Sequence, residues 1–458
     1  MKITIRNIKR ILEKQDSKKL NLLLKDSYPH DFAMILQKLT IEQMRDLFCL
    51  MEDKKAAEIF SLLDIEIQIQ LIEVLPRKKV IDIVTLMAND DRVDLLKNIK
   101  EERKELILRG IAQAERNEIL NYSKYPEDTA GSIMTSEYTT IPPDMTVREA
   151  INHLREVAPE KETIYYSYVV DKDRKLLGFI SLKDLILSKP DELVRDIMHK
   201  EVISAKASEH REDVARRIQK YDLIALPVTD DEGKLLGIIT YDDAMDVITE
   251  EYTEDFQKFG AVSGRYDTNY LRTPVWVHFK NRVVWIVILA ILGLFSGYVV
   301  SSFKDVLSSL IVLAFYMPML ADTGGNTGSQ AATVIVRAIA LGQISDKAKD
   351  IIKVLVKELI ISLLLALVLG LLSFARVLFF TKDTMLPGGL TITKVALVIA
   401  IALSVQVITA TVIGAMLPLL AAKLKKDPAV IASPALTTFV DITGLLIYFT
   451  TAKILLGL

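Results

Sequence analysis

The sequence predicts a multidomain protein with an all-α superhelical N domain, an α/β tandem middle and a five-helix transmembrane domain. Apolar residues recur every 24 positions near the start, two central segments echo each other, and long apolar runs crowd the region after residue 281. The predicted boundaries are 1–125 for the helical domain, 126–250 for the tandem, 241–278 for an acidic linking helix and 279–458 for the transmembrane domain.

The front of the chain repeats a unit of two short helices. Leu, Ile, Lys and Glu dominate this region and Pro is rare, which favours helix. One such unit cannot bury its apolar face alone, so we expect the units to stack into a superhelix that serves as a scaffold or docking module. The positions that repeat at 24 residues are Ile35, Ile59 and Ile83; Leu39, Leu63 and Met87; Leu47, Leu71 and Leu95; and Phe48, Ile72 and Leu96.

An acidic group, Asp90, Asp91 and Asp94, lies in the last of these units. Such a group is usually a solvated face. A cation site is the alternative, and it requires further acids to approach from elsewhere in the fold.

The tandem middle repeats a strand, a charged turn and a second strand that leads into a helix. LLGFISLKD and LLGIITYDD align without gaps, after the turns DKDRK and DDEGK. This arrangement resembles a pair of cystathionine-β-synthase (CBS) domains. The resemblance implies that the pair could bind ATP or another adenine nucleotide, with the ribose held by Ser181 and Asp184 or by Thr240 and Asp243.

The linking helix that follows carries two acidic stripes. Like charges four residues apart destabilise a helix by roughly 0.2–0.5 kcal/mol per pair. Two interpretations stay open: a solvated helix that tolerates the repulsion, or a helix whose stripes are screened by divalent cations, which prefer oxygen ligands. The stripes are Asp242, Asp246, Glu250 and Glu254, and Asp243, Glu251 and Asp255.

Composition excludes several classes of function. The chain has 57 Lys and Arg residues and 59 Asp and Glu residues, of which 14 basic and 8 acidic residues lie beyond residue 281. The first 281 residues therefore carry 43 basic and 51 acidic residues and are acidic overall. An acidic front argues against nucleic acid as a partner, and a single cysteine, Cys49, excludes an internal disulfide. The start MKITIRNIKRILEK indicates no secretory signal. The five histidines have no metal-ligand spacing and no nucleophile motif is present, so we expect no enzyme.

Five apolar stretches, near 282–300, 307–341, 354–380, 392–421 and 430–456, predict membrane spans. The second is too long for one straight span. Lys and Arg are more frequent in the loops on one side, which places that side in the cytoplasm. We therefore expect a multi-pass protein of the cell (inner) membrane, in contact with lipid, with its N terminus cytoplasmic and its C terminus outside.

Two of these stretches carry polar residues where lipid would surround them. The second contains PMLADTGGNTGSQAAT, whose glycines indicate either close helix packing or local unwinding. In the last stretch Ser433, Thr437 and Asp441 are spaced by four and share a helix face. Ionisable groups at such depth usually mark an ion path, so we expect a cation site at Asp441.

One carboxylate is a weak site for a divalent ion. A two-fold homodimer, the commonest oligomer, would place two copies of Asp441 on one axis. Their repulsion would be relieved by a divalent cation or a proton. Hydrated Mg²⁺ could be held through its waters.

The whole arrangement resembles the MgtE family of magnesium channels, on the motifs GGNTGSQAATVIVRAIA, VIGAMLPLLAAKL and DPAVIASPALTTFVDITGLLIYF. The resemblance implies a homodimer with a pore on the two-fold axis, with Asp441 as its central acid. Family members often carry Asn at the positions of Ser329 and Ser433. The pore residues that it implies are Asp441, Thr437, Ser433, Asn326, Ser329 and Thr333.

The resemblance also implies that intracellular Mg²⁺ bridges the N domain, the CBS pair and a "plug" helix, and thereby closes the pore. The acids expected to bind this gating Mg²⁺ are Asp90, Asp91, Asp94, Asp222, Asp242, Asp246, Glu250, Glu251, Glu254 and Asp255. An alternative function is a secondary transporter that couples H⁺ or Na⁺ to divalent cations such as Co²⁺, Mn²⁺ or Ni²⁺. The carboxylate in the last span argues against an anion channel.

Overall fold

The computed structural model describes residues 4–25, 27–264, 270–271, 273–345, 347–382, 386, 390–428 and 434–458. These residues form two compact units that divide after Thr249. Each unit is described by itself below.

The first unit opens with short helices that stack as a superhelix. The third, fifth, seventh and ninth begin at residues 29, 53, 77 and 101, and the fourth, sixth and eighth at 41, 65 and 89. Each packs on the helix one repeat further along, so the predicted 24-residue unit is the structural repeat. The helices are α1 (Ile5–Lys14), α2 (Ser17–Lys25), α3 (Pro29–Leu36), α4 (Ile41–Leu50), α5 (Asp53–Ser61), α6 (Ile65–Val74), α7 (Arg77–Leu86), α8 (Asn89–Asn98), α9 (Glu101–Leu108) and α10 (Gln113–Tyr122).

The repeated apolar positions form the core of this superhelix. Leu47, Leu71 and Leu95 are fully buried, and the other predicted positions are buried as well, apart from the partly buried Ile35. The stacked helices therefore share one continuous core, as repeat proteins do.

The tandem middle folds into two three-stranded sheets. In each sheet the first strand is parallel to the second and the second is antiparallel to the third. The strands are β1 (Thr140–Ile141), β2 (Tyr166–Val170), β3 (Leu176–Ser181), β4 (Ala205–Lys206), β5 (Ala225–Thr229) and β6 (Leu235–Thr240). The helices are α11 (Val147–Val157), α12 (Leu182–Leu187), α13 (Val194–Ile197) and α14 (Arg211–Lys220), with 3₁₀ turns at Ala130–Ser132 and Ala158–Glu160.

The two hairpins match residue for residue, as the sequence alignment predicts. Gly178 pairs with Val169 in the first hairpin, and Gly237 pairs with Val228 in the second. In the turns, the Asp171 carboxylate accepts the backbone N–H groups of residues 173 and 175. Asp230 accepts those of residues 232 and 234. The same Asx chemistry therefore closes both turns.

A helix follows the second hairpin where the linking helix is predicted, but α15 (Tyr241–Phe259) ends at Phe259, well before residue 278, and the next helix starts at Val275. The first part of α15, with Ala244, Val247 and Ile248 buried, belongs to the core of the second CBS-like half. Its residues from Glu250 onward belong to the second unit.

The second unit is a helical bundle. Among the described residues, four helices are long and apolar enough to span a membrane, whereas α18 fails this criterion because of its polar residues. The predicted count of five spans is therefore not confirmed, and the second predicted span, near 307–341, corresponds to a 29-residue helix of mixed polarity. The helices are α16 (Val275–Ser302), α17 (Lys304–Ser309), α18 (Val312–Ala340), α19 (Ala348–Phe380), α20 (Ile392–Lys423) and α21 (Pro434–Leu456).

The overlong second stretch is divided between two helices, with a short non-helical break between them. The short α17 ends at Ser309 and α18 starts at Val312. Helix α18 then runs without interruption through the PMLADTGGNTGSQAAT segment. Of the two interpretations of its glycines, close packing is therefore correct and local unwinding is wrong.

Helix α20 forms the centre of the bundle, where α18, α19 and α21 pack on it. A Cβ at Gly414 would lie 2.2 Å from the carbonyl oxygen of Gly328, so α18 and α20 are in direct backbone contact. Side chains also bond to the backbones of neighbouring helices: Tyr448 Oη donates to the carbonyl of Leu313 at 2.8 Å. Such bonds satisfy polar groups that lipid cannot.

Candidate functional site

Helix α18 has one face packed in the bundle and an opposite face that is polar. Small residues, including Gly324, Gly328 and Ala332, are buried on the packed side. The other side carries a polar stripe with a period of three to four residues, so its members share a face. The stripe consists of Asp322, Asn326, Gln330 and Thr333, which are exposed in the single chain, and Ser329, which is half-buried.

Exposed amides and hydroxyls on such a helix cannot face lipid at low cost. Polar groups in the hydrocarbon region must be bonded internally or face water. Thr333 Oγ1 donates back to the carbonyl of Ser329 at 2.7 Å, which satisfies only that hydroxyl. The polar stripe therefore indicates a surface of α18 that borders water or another protein chain.

Helix α21 brings the predicted acid beside α18. Val440 contacts the positions of Gly324 and Gly328, and a Cβ at Gly325 would lie 3.7 Å from Thr437 Cγ2. Both Thr437 and Asp441 are half-buried. The predicted Ser433 lies outside the described residues.

The end of α15 contacts the bundle within the second unit. Lys258 Nζ lies 2.9 Å from Asp427 Oδ2 and also pairs with Glu254 on its own helix. Burial alone would lower the pKa of Lys258, but these two carboxylates raise it above its ordinary value. The next residue, Phe259, packs against a cluster that contains Ala332, Ala410, Leu436 and Val440.

A separate group of acids lies within the first unit. Asp90 and Asp91 occupy the first turn of α8, and Asp243 the first turn of α15. Burial raises the pKa of Asp90, and the neighbouring Asp91 raises it further. Burial also raises the pKa of Asp243, and the charge of Asp90 is the next largest cause. The additional acids that the prediction for Asp90 and Asp91 required are therefore supplied by α15.

Glu162 belongs to this group, which we call the acid cluster: Asp90, Asp91, Glu162, Asp242 and Asp243. Burial and Asp242 raise the pKa of Glu162, and Glu162 in turn raises the pKa of Asp91. The sequence analysis missed Glu162, which lies in an irregular segment far along the chain from the other members. It placed Asp243 with the nucleotide residues and in an acidic stripe that cations could screen, but not among the gating acids.

The other predicted gating acids are more dispersed. Asp246 has an exposed surface, although part of the residue is desolvated. This desolvation and the charge of Asp242 raise the pKa of Asp246, and His30 opposes the increase. Asp94 contributes to the raised pKa of Asp91, and Asp222 is exposed at a left-handed turn with φ 52°. Within the described part of the chain, no three acid, histidine or cysteine side chains converge closely enough to hold one metal ion directly.

The predicted nucleotide residues form helix caps. Ser181 Oγ accepts from the Asp184 backbone N–H at 3.0 Å, and the Ser181 backbone N–H donates to Asp184 Oδ2 at 3.1 Å, which completes a capping box on α12. Ser181 Oγ also donates to Asp184 Oδ2 at 2.6 Å. Asp184 Oδ2 also lies 3.1 Å from His199 Nε2. The equivalent pair in the second half, Thr240 and Asp243, is hydrogen-bonded as well.

A cavity of about 830 Å³ lies elsewhere on the CBS-like pair, beside α10 and the two hairpin turns. Tyr122, Tyr125 and Tyr138 line it, together with Lys161 and Arg174. None of the four predicted nucleotide residues contributes to this cavity.

Comparisons with known proteins agree with this architecture. A family model described as a divalent cation transporter, MgtE, matches residues 317–451. The MgtE intracellular N domain matches residues 27–128, and the CBS domain matches residues 130–190 and 194–250.

Full-length relatives and solved structures extend the match. The magnesium transporter MgtE of Thermus thermophilus is 36% identical over 453 residues, 98% of each chain. That of Bacillus subtilis is 33% identical over 440 residues, 93% of this chain and 94% of the relative. A crystal structure of the soluble part of a magnesium transporter superposes with a TM-score of 0.52 at 34% identity, over 54% of this chain and 97% of that one. A structure of the cytosolic domain of the Mg²⁺ channel MgtE in complex with ATP superposes with a TM-score of 0.50 at 35% identity, over 52% of this chain and 98% of that one.

A superhelical domain, a CBS pair and a bundle of helices of spanning length with a polar face together define a membrane transporter of divalent cations. The chain belongs to the MgtE family of magnesium transporters. Its relatives are transporters rather than enzymes.

Proposed function

We propose that this protein is a Mg²⁺-selective channel that imports Mg²⁺ into the cytoplasm as a homodimer. Five helices, α16 and α18–α21, cross the membrane, with the N terminus cytoplasmic and the C terminus outside. The domain limits would be those predicted from the sequence, except that the linking helix would end at Phe259 and the first spanning helix would begin at Val275.

The single observation that carries the proposal is the polar stripe of α18 beside Asp441 of α21. In the single chain the polar stripe is largely exposed, although α18 and α21 are long enough to span a membrane. A second copy related by a two-fold axis would enclose it, and two Asp441 carboxylates would then face one passage. Asn326, Ser329, Thr333, Thr437 and Ser433 would supply further oxygens.

Electrostatics favours a doubly charged ion in such a passage. Two carboxylates that face each other repel strongly where water is scarce. Mg²⁺ gives up its waters reluctantly, so the carboxylates and hydroxyls would bind it through its hydration shell. The alternative, coupling of divalent transport to H⁺ or Na⁺, has no observation in its favour beyond the carboxylate itself.

Gating is proposed to use the acid cluster in the first unit. Without cations, repulsion among Asp90, Asp91, Glu162, Asp242 and Asp243 opposes close packing of α8 and α15. Intracellular Mg²⁺ would bind the packed form more tightly and shift the population toward it. The other predicted gating acids, Asp94, Asp222, Asp246, Glu250, Glu251, Glu254 and Asp255, would add weaker binding along the same surfaces.

Helix α15 would transmit the closure. Its last residues, Lys258 and Phe259, contact the bundle beside α18 and α21. A shift of α15 would therefore move side chains that lie next to the passage. The closed state would keep the Lys258–Asp427 ion pair.

Adenine nucleotide is proposed as a further ligand of the CBS pair. The similarity to a cytosolic domain solved with ATP supports this proposal. Ser181 with Asp184, and Thr240 with Asp243, are the residues that would hold the ribose hydroxyls, since each pair presents a carboxylate at a helix start.

The test is Mg²⁺ flux into liposomes that contain the full chain. We expect channel-like uptake when internal Mg²⁺ is low and a steep loss of uptake when internal Mg²⁺ is raised. Uptake that requires a proton or sodium gradient would support the coupled transporter instead. Uptake that is indifferent to internal Mg²⁺ would contradict the gating proposal alone.

A further inference from the structure

Gln406 is a polar side chain with no exposed surface in the middle of α20. It lies between two fully buried or nearly buried aliphatic residues of the same helix face, Leu403 and Val407. A buried amide in a membrane helix is costly unless it is hydrogen-bonded. An aliphatic side chain of similar size would fill the same volume without that cost.

The amide nitrogen of Gln406 bonds to the helix that carries the proposed pore acid. Nε2 donates to the backbone carbonyl oxygen of Val440 at 3.0 Å, and Val440 directly precedes Asp441. Within the described part of the chain, Oε1 has no hydrogen-bond partner. The reversed amide would place two oxygens against each other, so the bond to Val440 determines the orientation of the side chain.

Two glycines on neighbouring helices enclose this amide. A Cβ at Gly324 on α18 would lie 2.3 Å from Gln406 Nε2, and a Cβ at Gly444 on α21 would also lie 2.3 Å from it. The backbones of α18 and α21 therefore lie directly against the amide. This one side chain of α20 therefore contacts both helices, α18 and α21, that border the proposed passage.

We propose that Gln406 is a positioning residue for transport, because it fixes α21 so that Asp441 keeps its place relative to the polar stripe of α18. The proposal rests on the proposed function, which assigns Asp441 to the passage. The acceptor is a main-chain atom with no rotamer freedom, so the bond holds the helix itself rather than one side chain. A small slide or rotation of α21 would displace the acid.

If Gln406 served only to fill space, the expected effect of substitution on transport would be different. In that case any side chain of similar volume would preserve ion binding, and substitution would change only the amount of folded protein. A positioning role predicts altered affinity and selectivity in protein that is folded. The two roles are therefore separable by transport measurements at equal amounts of folded protein.

The test uses the full chain in liposomes and two variants of α20. Gln406→Met keeps the length of the side chain and removes the donor. Thr411→Val is the matched control, because Thr411 is also buried but its hydroxyl donates within its own helix, to the carbonyl of Val407 at 2.8 Å. The readouts are the Mg²⁺ concentration for half-maximal uptake and the ratio of Mg²⁺ to Co²⁺ uptake.

We expect Gln406→Met to raise the half-maximal concentration roughly three- to tenfold, the factor expected for one interhelical hydrogen bond, and to change the uptake ratio. Thr411→Val should leave both values unchanged. Gln406→Glu provides a rescue: a neutral carboxylic acid can donate to the Val440 carbonyl. Uptake should therefore approach wild-type affinity while this acid is protonated and lose it as rising pH ionises the acid.

A Gln406→Met protein with wild-type affinity and uptake ratio would overturn the inference. So would a change that Thr411→Val reproduces. The proposed function is tested separately by Asp441→Asn: if that variant transports normally, the pore assignment fails. If Asp441→Asn is inactive while Gln406→Met behaves as wild type, only the positioning role fails.

Discussion

Asp90 and Asp243 belong to different domains of the first unit, yet the charge of Asp90 is, after burial, the main cause of the raised pKa of Asp243. One begins α8 of the superhelix and the other begins α15 of the CBS pair. Their repulsion opposes the packing of these two domains, so a cation that neutralised both carboxylates would favour the packed form.

Removing one member of the acid cluster should stabilise the packed form in the absence of Mg²⁺. We expect Asp90→Asn to raise the unfolding temperature by about 2–4 °C, the shift produced by ~1 kcal/mol in a domain of this size. Added Mg²⁺ should then stabilise the variant less than the wild type. Calorimetry of the full chain in detergent measures both effects, with Asp173→Asn in an exposed turn as the control. An unchanged response to Mg²⁺ would separate Asp90 from cation binding.

The acid cluster should make stability depend on pH in an unusual direction. The pKa values of Asp91, Asp90 and Asp243 are raised to about 6, 7 and 8. In the folded state these groups hold protons that the unfolded chain releases near pH 4, so stability is highest below that pH and falls as pH rises toward 8. Other carboxylates oppose this trend, so the test is a difference between wild type and Asp243→Asn.

The difference in pH dependence between wild type and Asp243→Asn should be largest without Mg²⁺. We expect wild type to lose more stability than Asp243→Asn between about pH 5 and about pH 8, and saturating Mg²⁺ to reduce the gap. Thermal unfolding at a series of pH values gives the result. Parallel curves for the two proteins would contradict a coupled acid cluster.

The ion pair at the end of α15 should favour the closed state. Lys258→Met removes the contact with Asp427 and should weaken inhibition by internal Mg²⁺. Because the pair is partly exposed, its contribution is expected to be about 1 kcal/mol or less, which is a shift of up to roughly fivefold in the inhibitory concentration. Lys382→Met, in an exposed position after α19, is the control. Equal inhibition in both variants would exclude a role for the pair.

The polar stripe of α18 should be required for conduction rather than for folding. Asn326 is exposed in the single chain, so Asn326→Leu removes a polar group without opening a cavity. We expect Mg²⁺ uptake to fall at least severalfold while the amount of folded protein in the membrane stays the same. Leu364→Ile on the exposed face of α19 is a neutral comparison. Normal uptake by Asn326→Leu would place the passage elsewhere.

Nucleotide binding should depend on the capped helix starts and not on the large cavity. Asp184→Asn keeps an oxygen for the Ser181 contacts but loses the charge, and it should weaken ATP binding by roughly tenfold, as loss of a charge-assisted hydrogen bond predicts. Arg174→Gln in the cavity wall should leave binding unchanged. Isothermal titration with ATP distinguishes them, and the opposite pattern would assign the nucleotide to the cavity.

Much of the fold is visible in the sequence because local patterns determine it. The 24-residue period of Leu47, Leu71 and Leu95 reflects helix pairs that bury equivalent residues against equivalent neighbours. The alignment of Gly178 with Gly237 reflects two hairpins with the same turn chemistry. Neither inference required knowledge of distant contacts.

The site was less predictable because it depends on contacts between distant segments. Glu162 lies in an irregular segment, and only the fold brings it near Asp91 and Asp242. The sequence around Gln406 does not indicate what its side chain contacts. Its importance follows from a hydrogen bond to Val440, 34 residues away along the chain. The polar residues of α18 were visible as a motif, but their division into a packed face and an open face required the structure.

The most direct test of the central claim is Mg²⁺ uptake by liposomes that contain Asp441→Asn. Asp305→Asn, on the short α17 outside the polar stripe, is the matched charge control. The proposal predicts that Asp441→Asn folds and dimerises but loses Mg²⁺ uptake by at least tenfold, while Asp305→Asn transports as wild type does. Wild-type Mg²⁺ uptake by the Asp441→Asn protein would contradict it.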